Sequence, residues 1–334
     1  MPVRRDLCDL PLHAPSLVDE ATGAVIARLG RYLASGSSAA VFAGERADGV
    51  PVAVKILLPR ARRELIRQGL SPDRLFERER QTHEAVAARG GSPSLCPVLG
   101  HGTVRIEVSG GVLSLPFLLT LLVPEEPHGA TLEERVLRHG RGLPLPRARR
   151  LLSGIFAGTL ALHRAGVVHR DLSPGNILVR GEPGEEEALV ADGGIARVPG
   201  GETLGLSART SSYGSPEQCL VTTPGANPLV GFHSDVHALA SLAFYVFAGR
   251  SWAEVCDGFE RGVRGPLPRG SLDPSVAPFA AGLDTVLARG ASPLLELTEP
   301  VDLLMRLPQV RGAERRFATA EALWEALVGV FPGG

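Results

Sequence analysis

The chain has 334 residues, a formal net charge of −1, 44% hydrophobic residues and 21% charged ones. That size can bury one extended core or two lobes, and the neutral balance gives no support for a nucleic-acid or membrane-surface role. Cys8, Cys96, Cys219 and Cys256 are far apart and form no C-x-x-C pair, which argues against a zinc site or disulfide framework and for a reducing cytoplasm.

In chain order, residues 1 to about 28 are a polar, proline-containing lead-in with no clear period and no signal-peptide h-region. Short strands are expected next, in "RYLASGSSAAVFAGER" around a Gly/Ser tip and in the β-branched run "PVAVKILL". The basic stretch "PRARRELIRQGL" (59–70) reads as a solvated helix, with a docking or regulatory insert as the alternative. Ser71-Pro72 then caps a helix that continues through "DRLFERERQTHEAV". Its Phe76, Glu79, His83 and Val86 share one face at 3.6 spacing, so Glu79 points where that helix packs.

Two further strands are expected in "GTVRIEV" and "LPFLLTLLV". After "PEEPHGA" (124–130) the pattern is mostly helical: "TLEERVLRHG", "RARRLLSGIFAGTLALHRAG", "SDVHALASLAFYVFAG", "AGLDTVLAR", "VDLLMRL" and "ATAEALWEALVGVF". The longest apolar runs, 112–124 and 238–249, fall short of a bilayer-spanning helix. A strand-rich first third followed by helices predicts two lobes joined near residues 123 to 129.

Several motifs stand in a telling order. "VAVK" ends at Lys55, and Glu79 lies on the packed face of the next helix. "HRDLSPGN" (169–176) sets Asp171 and Asn176 five positions apart on a tight Pro/Gly turn, where a carboxylate and an amide can face one small site. "LVADGGIAR", "RTSSYGSPEQ", "SDVHAL" and "ERRFATAEAL" come later. Alone, each has a bland reading: a surface lysine, a hairpin, a helix charge.

Together they resemble the eukaryotic-type (Hanks-type) Ser/Thr protein kinases also found in bacteria, over roughly residues 29–331. The resemblance implies an α+β, two-lobed fold. The N-lobe (about 29–123) would be an antiparallel sheet with one main helix, the hinge about 124–129, and the C-lobe (about 130–334) mostly helical. It implies ATP held by Leu33, Gly36, Val41, Ala53, Lys55 and Glu79, with Lys55 pairing the phosphates and Glu79. Asp171 would accept or orient the substrate's hydroxyl proton, while Asn176 and Asp192 would hold Mg²⁺ or Mn²⁺. Arg170 would meet an activation-loop phosphate among Thr203, Ser207, Thr210, Ser211 and Ser212. Thr210 also stands at the position that marks Ser/Thr specificity, Asp235 would brace the catalytic loop, and Glu217 would pair with Arg316.

Three positions depart from the family pattern. The glycine loop "ASGSSAAV" keeps only Gly36, Gly193 replaces a phenylalanine, and Ser173 stands where a lysine usually contacts the γ-phosphate. The expected function is ATP-dependent, autophosphorylating Ser/Thr protein kinase activity in the cytoplasm, on protein substrates and not on nucleic acid or membrane. Two alternatives are a pseudokinase that binds nucleotide as a scaffold and, ranked last, a small-molecule kinase. The chain ends soon after the last helix of the domain and carries no sensor segment, so a regulatory partner is expected.

Overall fold

In a computed structural model of the chain, the described residues are 16–18, 25–35, 39–67, 73–108, 111–125, 127–199, 212–219, 230–257, 264–292 and 316–331. They form two compact units, one drawn from residues 1–83 and 96–123 and the other from 84–95 and 124–334.

The first unit is built on six strands: β1 (Ser16–Val18), β2 (Val25–Ser35), β3 (Ala39–Arg46), β4 (Pro51–Leu57), β5 (Val98–Val108) and β6 (Gly111–Leu121). They hydrogen-bond in the order β1-β2-β3-β4-β6-β5, all antiparallel. A Val18–Thr103 pairing between β1 and β5 closes them into a barrel. The boundary expected at residue 29 falls inside β2, and Ser16–Val18 of the lead-in is a strand. Leu17 and Ala27 are fully buried, which accounts for the pairing of a segment too short to show any period.

Strand β6 reads as one apolar run because both its faces are covered. Leu115, Phe117 and Leu119 enter the barrel core, and Leu118 and Thr120 on the opposite face are equally buried. Each fully buried side chain of this size stabilises by about 1.5–3 kcal/mol. Helix α1 (Pro59–Arg67) buries Leu65 and turns Arg60, Arg63 and Arg67 outward. The basic stretch is thus a solvated helix face over those residues. Helix α2 (Arg74–Ala87) follows, with Phe76, Glu79 and Val86 all buried as the spacing requires. Its cap at Ser71-Pro72 lies outside the described residues.

The second unit holds α3 (Leu132–His139), α4 (Leu145–Arg164), a hairpin of β7 (Ile177–Arg180) and β8 (Glu187–Val190), α5 (Pro216–Cys219), α6 (Phe232–Ala248), α7 (Trp252–Val255), α8 (Ala280–Gly290) and α9 (Ala320–Val328). Helix α3 starts in a capping box. Thr131 Oγ1 accepts from the Glu134 amide at 3.2 Å, and Glu134 Oε2 accepts from the Thr131 amide at 3.0 Å. It ends at Gly140 in the left-handed region, with φ 79°.

Helix α6 is apolar around its whole circumference and is buried from Ser234 to Ala248, as a central helix must be. It packs against α4, α8 and α9. The approach of Gly142 to its C-terminal end allows no side chain, because a Cβ there would overlap the Phe247 carbonyl. Residues 94 and 95 join this unit through backbone pairing: the Ser94 carbonyl accepts from the Val190 amide at 2.9 Å, and Leu95 bridges to Val190. The run "VDLLMRL" lies outside the described residues.

Candidate active site

In the first unit, Lys55 stands on β4 opposite Val41 of β3 and Leu118 of β6. Its Nζ donates to Glu79 Oε1 at 3.0 Å and Oε2 at 3.3 Å. The lysine side chain is 15% exposed and the glutamate 3%, so the pair sits in a medium where charge attraction is much stronger than at the surface. Two neighbours respond to it. His83, one turn beyond Glu79, is held down to about 4 by burial first and the Lys55 cation second. Burial pushes the Cys96 thiol up to about 11, with Lys55 and a Thr120 hydrogen bond working the other way. Leu33 lies on β2, and Ala53 lies on β4 two residues before Lys55, 8% exposed. Gly36 lies outside the described residues.

In the second unit, the turn at 169–176 is built on one fully buried carboxylate. Asp235, in the first turn of α6, accepts from the His169 amide at 2.8 Å and the Arg170 amide at 2.9 Å. His163 Nε2, on α4, is 2.9 Å from the same carboxylate. Burial alone would raise the Asp235 pKa, but the His163 hydrogen bond and the charges around it hold the group below the ordinary carboxylate value. Arg170 adopts φ 71°, a left-handed conformation that costs a residue with a Cβ roughly 1–2 kcal/mol. The charge-assisted bonds to Asp235 offset that strain. The Gln218 amide donates to the Arg170 carbonyl at 2.7 Å, which pins the turn from its other side.

The ring of His169 then orients the next residue. The Asp171 amide donates to Nδ1 at 3.2 Å, so Nε2 carries the proton and donates to the Ala191 carbonyl at 3.0 Å. Burial is the main reason this histidine is held neutral. Asn176 Nδ2 donates to the Asp171 carbonyl at 2.8 Å and to Asp171 Oδ2 at 3.0 Å. The asparagine nitrogen is therefore committed to Asp171, and the amide oxygen is the atom with which Asn176 could hold a metal ion. The Ala191 amide donates to the Asn176 carbonyl at 2.9 Å. This bond ties the 169–176 turn to the strand end that precedes Asp192. Asp192 is itself left-handed, with φ 64°. Gly193 is buried, and its carbonyl accepts from Ala196 at 3.1 Å. Ser173 is 8% exposed, and its carbonyl accepts from the Asn176 amide at 3.0 Å.

The Arg170 side chain is buried and donates from Nη1 to the Ile195 carbonyl at 3.1 Å. Glu217 and Arg316 meet at 2.8 Å with both side chains fully buried. Burial would raise the Glu217 pKa, but the Arg316 guanidinium overrides it and holds the carboxyl low. Thr203, Ser207, Thr210 and Ser211 lie outside the described residues. The motif reading assigned no role to His163, His169 or Gln218. His169 and Gln218 sit inside quoted motifs, whereas the one signal for His163 is a polar ring in the otherwise apolar last turns of α4.

The family profile described as "Protein kinase domain" matches residues 116–259. Serine/threonine-protein kinase pkn2 of Myxococcus xanthus is 30% identical over 307 residues, covering 90% of this chain and 32% of that protein. Serine/threonine-protein kinase AfsK of Streptomyces coelicolor is 32% identical over 224 residues, covering 66% of this chain and 24% of that protein. The chain thus spans about a third or less of the length of these relatives. The crystal structure of the Mycobacterium tuberculosis PknI kinase domain superposes with a TM-score of 0.56 at 21% identity, covering 92% of this chain and 96% of that one. That likeness concerns the fold.

Proposed function

Because the chain belongs to the bacterial Hanks-type Ser/Thr protein kinases, we propose that it transfers the γ-phosphoryl group of ATP to serine or threonine hydroxyls of proteins, its own included. The observation that carries this reading is the Asp171–Asn176 arrangement on a strained turn held by Asp235. A turn with no chemistry to perform has little reason to keep a left-handed arginine and a buried charge.

The family uses ATP and a divalent metal ion, and the residues present fit such an ion. The donors would be the Asp192 carboxylate and the Asn176 amide oxygen, both hard oxygen ligands suited to Mg²⁺ or Mn²⁺. Among the described residues no group of three or more His, Cys, Asp or Glu side chains forms a metal cage. When bound, the ion neutralises charge on the transferring group.

The chain's own residues then divide the work. Lys55, fixed by Glu79, binds phosphate oxygens. Asp171 lies beside the attacking hydroxyl and receives its proton as oxygen bonds to the γ-phosphorus and the bridging P–O bond to ADP breaks. Ser173 offers a hydrogen bond and no charge, so less of the electrostatic stabilisation comes from the turn itself. We place the reaction in the cytoplasm, a location supported by the four dispersed cysteines. Among the described residues no helix is long and apolar enough to cross a membrane.

The test is phosphate transfer from γ-labelled ATP to the chain itself and to myelin basic protein, with Asp171→Asn as control. Transfer by the wild type, and its loss in the variant with nucleotide affinity retained, is expected. A wild type that binds ATP yet labels no protein with Mg²⁺ or Mn²⁺ would refute the proposal.

A further inference from the structure

Helix α3 opens with two adjacent glutamates, and the fold employs one of them. Glu134 closes the capping box, its carboxylate accepting from the Ala130 and Thr131 amides at 2.7 and 3.0 Å. Glu133 is exposed, and among the described residues its carboxylate takes part in no hydrogen bond or ion pair. The dipole of α3 favours an acid in its first turn, but that attraction does not set where the carboxylate points.

It points at the turn that carries Asp171. Helix α3 packs against the short turn Pro174–Asn176. A Cβ built on Gly175 would stand 3.6 Å from Glu133 Oε2, with no other atom of the described residues within 4 Å beyond its chain neighbours. Gly175 is exposed and does not adopt a left-handed backbone, so its conformation does not call for glycine. What the missing side chain provides is an open slot beside the Glu133 carboxylate. The next residue, Asn176, donates to both the carbonyl and Oδ2 of Asp171, so the slot adjoins the group that would receive the substrate's proton. The Glu133 backbone is fixed from α6, where the Tyr245 hydroxyl donates to its carbonyl at 3.4 Å. The Tyr245 ring in turn meets that of Tyr213, just before the segment leading to Glu217, edge-on at 6.2 Å.

We infer that Glu133 is a specificity-determining residue for the polypeptide substrate: its carboxylate, beside the open face of Gly175, pairs with a lysine or arginine near the residue to be phosphorylated. This rests on the protein-kinase reading, in which the attacking hydroxyl lies at Asp171. An extended chain advances about 3.3 Å per residue and the slot is one short turn from Asp171, so the basic residue falls within about four positions of the acceptor. The substrate class is then proteins that carry a cation close to the acceptor serine or threonine.

Steady-state kinetics on wild type, Glu133→Gln and Glu133→Arg test it. The substrates are peptides with a single serine or threonine acceptor, identical except for one lysine moved through about four positions on either side. For the wild type, lysine should raise kcat/KM about fivefold over alanine at one position or two, the yield of a partly exposed ion pair. Added salt should shrink that preference by screening the pair. In Glu133→Gln the lysine-to-alanine ratio should fall to within about twofold of one, and Glu133→Arg should favour glutamate over lysine at the same position. KM for ATP should stay within about twofold of wild type in both variants. A role confined to the helix dipole would alter stability and leave the lysine ratio where it was. An enzyme active on myelin basic protein for which lysine helps at no position, or a Glu133→Gln variant that keeps the wild-type ratio, would overturn the specificity role alone. A wild type that transfers nothing to any protein or peptide would overturn the kinase reading and the specificity role with it.

Discussion

Replacing Arg316 with methionine tests the energetics of the second unit, and the cost follows from what the guanidinium touches. Its Nη1 donates to Glu217 Oε1 at 2.8 Å and to the His233 carbonyl at 2.7 Å. Its Nε and Nη2 both donate to the Ser292 carbonyl, at 2.9 and 2.6 Å. Methionine fills comparable space but strips the donors from two carbonyls and leaves a fully buried carboxylate beside Ser234 Oγ at 2.9 Å. Breaking a buried pair from one side costs about 3–5 kcal/mol. Glu217→Gln keeps an acceptor for Nη1 and leaves the Ser292 and His233 bonds intact, so about 1–3 kcal/mol is expected. The two halves of one ion pair should therefore be unequal.

Both tryptophans of the chain, Trp252 and Trp324, belong to the second unit, so fluorescence-monitored urea unfolding reports on it. With a slope near 3 kcal/mol/M, the Arg316→Met midpoint should fall by roughly 1–2 M. The pH dependence gives a further check. In the wild type Glu217 titrates below its ordinary value of 4.5, so its contribution is present above that value and fades as pH falls through the lower native one. Without Arg316, burial dominates and the native pKa rises above the unfolded one. The folded variant then binds more protons than the unfolded chain, and its stability falls as pH rises. The deficit relative to wild type should be larger at pH 8 than at pH 5. Equal costs for the two substitutions, or a deficit that does not change with pH, would refute this account.

Other substitutions give sharp outcomes. Asp235→Asn removes the charge that holds the His169 and Arg170 amides. Loss of charge-assisted bonds of about 1.5–3 kcal/mol predicts a roughly 10- to 100-fold lower kcat, with ATP affinity unchanged; a kcat within threefold of wild type contradicts it. Cys96 should resist iodoacetamide at pH 8 in the folded protein, because it is buried and its thiol titrates near 11. Mass spectrometry that finds it alkylated as fast as the partly exposed Cys256 would sink that expectation. Gly142→Ala forces the Phe247 carbonyl aside at the end of α6, at a cost of about 1–3 kcal/mol, and an unchanged Tm would show the contact to be soft.

What the sequence discloses here depends on how local the determinant is. The α2 face bearing Glu79, the capping box at Thr131 and the apolar girth of α6 are written in residues three or four apart, and each appears where its spacing puts it. The pairing of Asp171 with Asn176 is legible for a related reason, since both stand in one short segment. The barrel closure is not legible, because β1 is three residues long and its partner β5 lies more than eighty residues away. No period can be read from three residues. Nor does any glycine or asparagine announce the left-handed backbone of Arg170. That conformation is imposed by Asp235, 65 residues later, and held by Gln218. The Glu217–Arg316 pair lies between these cases: motif order couples the two charges, but only the fold adds the Ser292 and His233 carbonyls that make their removal unequal. Strain, tautomers and orphaned acceptors arise where distant segments of the chain meet. His163, His169 and Gln218 all bond at such meetings with α6 or the turn it braces, so a motif read along the chain assigns them no part.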